Sequence, residues 1–308
     1  MNADDARKLA RRFVALPLEK RHVFLAALER EGVDFSVLPI PAGVRAAQDC
    51  PLSYAQQRMW LLWQLEPQGN AYNLPSAVSL SGPLDQNALE QAFVGLVERH
   101  ATLRTVFALD AGDAPCLRPL ERPLAIVRHD LGTLPEAQRQ AAVAELVRQQ
   151  AMQPFDLEQG PLLRIHLARL AEQAHVLVLV MHHIIADGWS MNVLIDEFIQ
   201  RYDALVRGQV LDLPSLAVQY SDYALWQRSW LEAGEQARQL AYWRGQLGDE
   251  HPPLALPTDF PRALRPGSAG GRHAFEIPEA LAARLRDSAR EHNVTLFMLL
   301  LGSFAALL

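Results

Sequence analysis

The chain has few cysteines, no excess of basic residues and no long apolar run, the features typical of disulfide-stabilised, nucleic-acid-binding and membrane proteins. Its only two cysteines, Cys50 and Cys116, have neither metal-ligand spacing nor the pattern of a disulfide framework, so a reducing cytoplasm is expected. The 29 basic residues are outnumbered by 35 acidic ones, which leaves no positive surplus for binding nucleic acid. Residues 1–12 have no signal-peptide core, and the apolar run at 296–308 is shorter than the roughly 20 residues of a membrane span. These absences predict a soluble cytoplasmic protein with no nucleic-acid or membrane partner.

The 308 residues are 50% hydrophobic, which is ample for a core and predicts one large domain or two smaller ones. Three parts are distinguished: residues 1–45, 46–250 and 251–308. In the first part, apolar residues recur at helical spacing and are interrupted near Pro17, which predicts two short helices. This segment is interpreted either as a helical cap on the main domain or as a docking segment for another chain.

The third part begins with a stretch rich in proline and glycine at 251–270, which is interpreted as an interlobe linker. A strand at 272–277 and a helix at 278–292 are predicted to follow. The chain then ends within an apolar helix that Thr295 is predicted to cap. An uncovered apolar helix needs a partner surface, so we expect a second lobe that is begun but incomplete.

Between these parts, strands and helices mix without strict alternation, which predicts an α/β or α+β fold with a mixed sheet flanked by helices. Ser53 and Asp85 are predicted helix N-caps. Strands are predicted at 76–80, 103–109, 116–120, 124–127, 162–170 and 176–182, and helices at 136–152, 219–230 and 236–247.

Two adjacent histidines, His182 and His183, end an apolar predicted strand, and Asp187 and Gly188 follow in the next loop. Neighbouring side chains on a strand point to opposite faces, so only one of the histidines can face a given pocket. The same geometry makes the pair a poor chelate, and no metal site is expected. The residue types alone leave two alternatives open, a single catalytic imidazole or two structural core histidines.

Four segments together resemble the motifs of one protein family. Residues 182–188 (HHIIADG) have the pattern HHxxxDG. The other segments are 53–60 (SYAQQRMW), 99–107 (RHATLRTVF, with Ala101 where the family usually has Glu) and 220–226 (YSDYALW). In order and spacing they are similar to motifs of the condensation domains of nonribosomal peptide synthetases, as is the interlobe segment 256–262 (LPTDFPR). The resemblance extends from about residue 48 to the end of the chain.

This resemblance implies a chloramphenicol acetyltransferase-like lobe, followed here by the start of a second one. It implies that the amine of an acceptor aminoacyl thioester attacks a donor acyl or peptidyl thioester, forming an amide. Both substrates would be tethered to the 4'-phosphopantetheine of peptidyl carrier proteins, with no cofactor bound directly. An adenylation domain would belong to the same synthetase. If Met1 is the native start, the donor would arrive in trans, and the acceptor carrier would lie downstream.

The resemblance also suggests roles for the central motif. His183 is the catalytic candidate, as general base or as positioning group, and His182 is interpreted as structural. Asp187 is expected to form an ion pair with Arg104 that holds the loop, because a carboxylate in a buried loop needs a partner.

Gly188 is expected to allow a tight turn, and its backbone N–H is a weaker candidate for an oxyanion contact. Trp189 and Ser190 are expected to begin the following helix, with Ser190 as its N-cap. Scaffold roles are expected for the remaining motif residues Arg58, Trp60, Tyr220, Asp222, Tyr223 and Trp226, the last four as a belt that carries the second lobe.

Three alternatives belong to the same superfamily. The first is an acyltransferase that moves an acyl group from CoA to a hydroxyl or amine, and the second is a starter domain supplied with acyl-CoA. The third is a non-catalytic domain that recruits a partner. Intact histidines at 182 and 183 argue against the third, and the condensation-type motifs at 53–60 and 220–226 argue against the first.

Overall fold

The computed structural model of the chain describes residues 2–43, 50–250, 256, 273 and 275–308. The chain divides into two compact units, Met1–Trp243 and Arg244–Leu308. Most of the predicted interlobe linker, including all of 256–262 except Leu256, lies outside the described residues. Residues 275–278 are not in a strand, so the described end of the strand predicted at 272–277 does not form.

The secondary structure agrees closely with the sequence pattern. The helices are α1 (Ala3–Ala15), α2 (Leu18–Arg30), α3 (Tyr54–Leu65), α4 (Gln86–Arg99), α5 (Glu136–Met152), α6 (Gly188–Val206), α7 (Tyr220–Trp230), α8 (Gln236–Leu247), α9 (Glu279–Glu291) and α10 (Leu296–Leu307). The strands are β1 (Asn73–Ser81), β2 (Thr105–Leu109), β3 (Pro115–Pro119), β4 (Ile126–Asp130), β5 (Leu163–Ala171) and β6 (Ala174–His182). The strand predicted from residue 103 begins two residues later, because Ala101–Arg104 forms a 3-10 turn.

The predicted mixed sheet is confirmed, with strand order β1-β6-β5-β4. β6 is antiparallel to both of its neighbours, and β4 is parallel to β5. The expected hairpin of β5 and β6 forms, while β2 and β3 pair separately. Val180 lies opposite Arg164 and Val178 opposite His166, so His182, two residues beyond Val180, shares their face. That face lies against α5, where Arg164 donates a hydrogen bond to the Gln150 carbonyl (3.4 Å).

The opposite face of the sheet carries the main core. Met181 and Leu179 of β6 are almost completely buried there, as are residues of α4 and α6. Phe93 of α4 packs on Phe198 of α6 with ring centroids 4.6 Å apart. The buried apolar run of β6 therefore fixes the point at which the chain leaves the sheet, just after His182.

The N-terminal segment forms the two helices expected around Pro17, and it belongs to the first unit. Phe13 and Phe35 of this segment contact each other (4.4 Å between centroids) and form a cluster with Trp226 and Trp230. The segment thus packs against α7. Trp226, expected in a belt that carries the second lobe, packs here against the N-terminal helices.

The predicted N-caps at Ser53 and Asp85 are confirmed. Ser53 forms a reciprocal capping box with Gln56, and Asp85 accepts hydrogen bonds from the first turn of α4. In the second unit, Thr295 caps α10 as expected, at 3.1 Å from the Met298 nitrogen. Within the described ranges, no helix combines the length and apolarity needed to cross a membrane.

Candidate active site at the end of β6

The loop between β6 and α6 is held by hydrogen bonds to the end of β6, to Tyr72 just before β1 and to α3. The His183 backbone N–H donates to the Tyr72 carbonyl (2.8 Å), and the Ile185 N–H donates to the His182 carbonyl (3.1 Å). From α3, the buried Gln56 side chain donates to the Ile184 carbonyl (3.3 Å). This anchoring fixes the position of the His183 side chain beside the helix that follows.

His182 lies on the α5 side of the sheet and is only 5% exposed. Its Nδ1 accepts a hydrogen bond from the Ile184 N–H (3.1 Å), and its ring lies edge-on to Phe155. Burial lowers the pKa of His182 to about 4, with a smaller contribution from the charge of His183. At neutral pH it is therefore an uncharged group enclosed by protein.

His183 lies in a different environment, as the alternation along β6 predicts. It is half-buried and lines a cavity of about 380 Å³, which His182 does not reach. Its Nδ1 is buried and has no hydrogen-bond partner among the described residues. The pair thus consists of one enclosed imidazole and one that faces open space.

The cavity lies within the first unit, between α3, the turn after α4, the histidine loop, α6 and the residues just before α7. Its apolar wall includes Met59, Leu103, Trp189, Val193, Leu216 and Val218, and its polar groups include Gln56, His100, His183, Asp187, Gln219 and Tyr220. Apolar walls with a few converging polar groups are typical of sites for small organic groups.

Asp187 is the N-cap of α6, which corrects two expectations. Its Oδ1 accepts hydrogen bonds from the Ser190 backbone N–H (2.8 Å) and hydroxyl (2.5 Å). These bonds lower the pKa of Asp187, with a smaller effect from the charge of His183. Ser190 is thus the residue being capped, rather than the cap. Both Arg104 and Asp187 are exposed and described, and no ion pair joins them, since the solvated carboxylate is satisfied by the helix turn.

Gly188 is the first residue of α6. The prediction that a tight turn requires a glycine at this position is wrong. A methyl group at this position would meet nothing within 4 Å, and its φ is not positive. Trp189 follows and is 80% exposed, beside the cavity. The predicted start of the next helix at Trp189 and Ser190 is therefore accurate to one residue.

The structure also places a cluster around His100, a cavity-lining residue that sequence reasoning did not assign to the site. Glu197 of α6 accepts hydrogen bonds from Arg99 Nε (3.1 Å) and from His100 Nε2 (2.9 Å). Burial raises the pKa of Glu197, but the bonds and charges of His100 and Arg99 outweigh it, and the net shift is downward. The sequence offered no signal for it, because α6 carries three carboxylates, Asp196, Glu197 and Asp203, and nothing in the pattern singles out Glu197.

Replacing Asp187 with Ala is expected to lower the free energy of unfolding by about 1 kcal/mol, since α6 loses its N-cap. Asp187→Asn is the matched control, because an asparagine caps almost as well. Urea unfolding of both variants measures the difference. A loss of several kcal/mol in both would instead indicate a charged partner for Asp187 that the cap does not account for.

Comparison with known proteins identifies relatives for nearly the whole chain. The family model described as "Condensation domain" matches residues 46–308. One of the linear gramicidin synthase proteins from Brevibacillus parabrevis is 43% identical over 88% of this chain, which spans 4% of that protein. Phosphinothricin tripeptide synthetase PhsB from Streptomyces viridochromogenes is 39% identical over 88% of this chain, which spans 23% of that protein. The chain therefore corresponds to a small part of these relatives.

Solved structures show the same fold. The X-domain from teicoplanin biosynthesis is 30% identical, with a TM-score of 0.70 over 82% of this chain and 55% of that one. The starter condensation domain of rhizomide synthetase has a TM-score of 0.60 over 66% of this chain and 49% of that one, at 24% identity.

Proposed function

Since this chain belongs to the condensation-domain family found in nonribosomal peptide synthetases, we propose that it forms amide bonds between two thioester-bound substrates. The amine of an acceptor aminoacyl thioester attacks a donor acyl or peptidyl thioester. The observation that carries this proposal is the position of His183, at a strand end and facing the cavity. An imidazole held beside a largely apolar cavity suits a reaction in which a proton must leave the attacking nitrogen.

The reaction mainly requires that the protein place the amine next to the thioester carbonyl. An α-amine has a pKa of about 7.7–8.0 and is partly neutral near pH 7, and a thioester is a good acyl donor. A C–N bond forms at the donor carbonyl and the C–S bond breaks. The nitrogen of the tetrahedral intermediate must then lose a proton, and the departing thiolate must gain one. We assign both transfers to His183, which is the imidazole that the loop fixes beside the cavity.

The first turn of α6 supports the same assignment. Gly188 and Trp189 begin this helix, Trp189 lines the cavity together with His183, and the backbone N–H groups of a first helical turn favour negative charge. A developing oxyanion near His183 would be stabilised by these groups. The unfilled space at Gly188 leaves room for a substrate to approach the backbone closely.

The partners follow from the reaction. Two carrier proteins would present the substrates on 4'-phosphopantetheine arms, and an adenylation domain would load the acceptor. The cavity would hold the ends of the arms without a cofactor of its own.

The test is a transfer assay with the complete natural protein that contains this chain. Donor and acceptor carrier proteins are loaded with a panel of aminoacyl-phosphopantetheine groups, beginning with phenylalanyl donor and leucyl acceptor because the cavity is largely apolar. Mass spectrometry is expected to find the dipeptidyl thioester on the acceptor carrier. An N-acetylated acceptor is the control and should give none. Transfer from acyl-CoA alone would favour the CoA-dependent acyltransferase, and no transfer with any substrate would favour a recruitment domain.

A further inference from the structure

A second imidazole lines the same cavity as His183. His100 follows α4 directly, and its ring is partly exposed, with 22% of the side chain accessible. Its Nε2 is 2.9 Å from Oε2 of Glu197, a carboxylate that is itself only 13% exposed. Arg99 holds the other oxygen of Glu197 at 3.1 Å. His100 is thus oriented by a carboxylate that is fixed from both sides, whereas His183 has no such partner.

This contact determines the tautomer of His100. Because the Glu197 carboxylate accepts a hydrogen bond, Nε2 carries the proton and the lone pair lies on Nδ1. Among the described residues, none forms a hydrogen bond with Nδ1 of His100. A carboxylate–imidazole pair with an open lone pair is the arrangement by which proteins make a base that accepts protons.

Charged and polar groups of several elements surround His100. Glu197 of α6 is the acidic group in contact, and its charge is shared with Arg99 of α4. Gln219, before α7, is uncharged and is held by the Arg99 carbonyl and the Ala101 N–H. The remaining titratable groups of the cavity wall are Tyr220, His183 and Asp187.

We propose that His100, held by Glu197, binds the protonated amine of the acceptor and takes its first proton. This rests on the proposed amide-forming function and adds a step that precedes attack. At neutral pH most of an α-amine is an ammonium, which has no lone pair with which to attack. A neutral His100 Nδ1 accepts a hydrogen bond from this ammonium, and the nearby Glu197 charge attracts it.

Each proton of the acceptor amine has a defined destination in this sequence of steps. An ammonium group brings three protons, of which the amide keeps one. The first passes to His100 Nδ1, and the imidazolium, stabilised by Glu197, releases it to water. The second leaves nitrogen after the C–N bond forms, passes through His183 and goes to the thiolate as the C–S bond breaks. His100 and His183 therefore act before and after attack, on different protons.

Single-turnover condensation by the complete natural protein, followed from about pH 6.5 to 8.5, separates this role from a structural one. His100→Gln is expected to reduce the rate about tenfold or more near pH 6.5, where the amine is mostly protonated. Near pH 8.5 the amine is neutral without help, and the rate should recover to within about threefold of the unaltered protein. Glu197→Gln should show the same dependence more weakly, which keeps the test valid if His100→Gln folds poorly.

His292→Gln, at the exposed end of α9 in the second unit, is the matched control and should leave the profile unchanged. Equal loss at both pH values in the His100 and Glu197 variants would overturn the proposal, since a purely structural link between α4 and α6 predicts that result. An unchanged rate in both would overturn it as well. A His183 variant measured alongside should lose activity at every pH, so its behaviour tests the amide-forming function separately.

Discussion

Replacing His183 with Ala is expected to lower the rate of amide formation by at least about a hundredfold, the usual range for a lost general base. Of the two histidines at the end of β6, only His183 lines the cavity. The loss should appear in kcat rather than KM, because the proton transfer from nitrogen belongs to the transition state. Single-turnover transfer between two loaded carrier proteins measures it.

The same substitution is expected to leave stability almost unchanged. His183 is only half-buried, and its buried Nδ1 has no hydrogen-bond partner to lose among the described residues. His182→Ala is the matched comparison, since it removes the acceptor of the Ile184 N–H from a buried position and should destabilise the chain by roughly 1–3 kcal/mol. Full activity in His183→Ala would contradict the assignment of the catalytic residue.

Acidification is expected to destabilise the chain strongly, through His182 and His166. Both lie on the α5 face of the sheet and are about 5–6% exposed. Burial lowers the pKa of each to about 4, with smaller contributions from His183 at one and from His129 and Arg164 at the other. In the unfolded chain a histidine has a pKa of about 6.5, so below this pH the unfolded state binds protons that the folded state binds only near pH 4.

Acid therefore lowers the free energy of unfolding. Stability is complete above about pH 6.5 and falls as the pH drops through the window from about 6.5 to 4. Each histidine should contribute a loss of about 2 kcal/mol at pH 5, or about 4 kcal/mol for the two, against a typical total of 5–15 kcal/mol. Urea unfolding of the full chain at several pH values measures this loss.

The paired variant His182→Asn/His166→Asn tests the cause. Asparagine can still accept the hydrogen bond that Nδ1 accepts from the Ile184 N–H, and it does not titrate. The free energy of unfolding of the paired variant should therefore vary less with pH than that of the unaltered chain, even if the variant is less stable at every pH. His22→Asn, exposed on α2, is the control and should keep the full pH dependence. An undiminished slope in the paired variant would mean that other groups cause the acid sensitivity.

Much of the fold was predictable because its determinants are local. The apolar run of β6, the N-caps at Ser53 and Asp85 and the break at Pro17 are each encoded within a few residues. The different environments of His182 and His183 followed from the alternation of side chains on a strand. The role of His183 in chemistry stays a prediction.

The errors concern contacts between residues far apart in sequence or choices among polar partners. The Arg104–Asp187 pair was inferred from a supposedly buried loop, but Asp187 is exposed and the first turn of α6 satisfies it. The contact between His100 and Glu197 spans 97 residues and leaves no periodic trace in the sequence. Such pairings depend on how α4 lies beside α6, which is a property of the packed core.

Asp222, in the buried first turn of α7, has a consequence for the recombination of domains. One of its oxygens accepts a hydrogen bond from the Gly43 N–H (2.8 Å), and the other accepts one from the Gln219 N–H (2.9 Å). Gln219 in turn holds the backbone at Arg99 and Ala101, beside the cavity. A chimera joined between residues 43 and 50 would take these partners from two parents. Crossover sites that keep residue 43 and residue 222 from the same parent preserve this link between the N-terminal helices and the cavity wall.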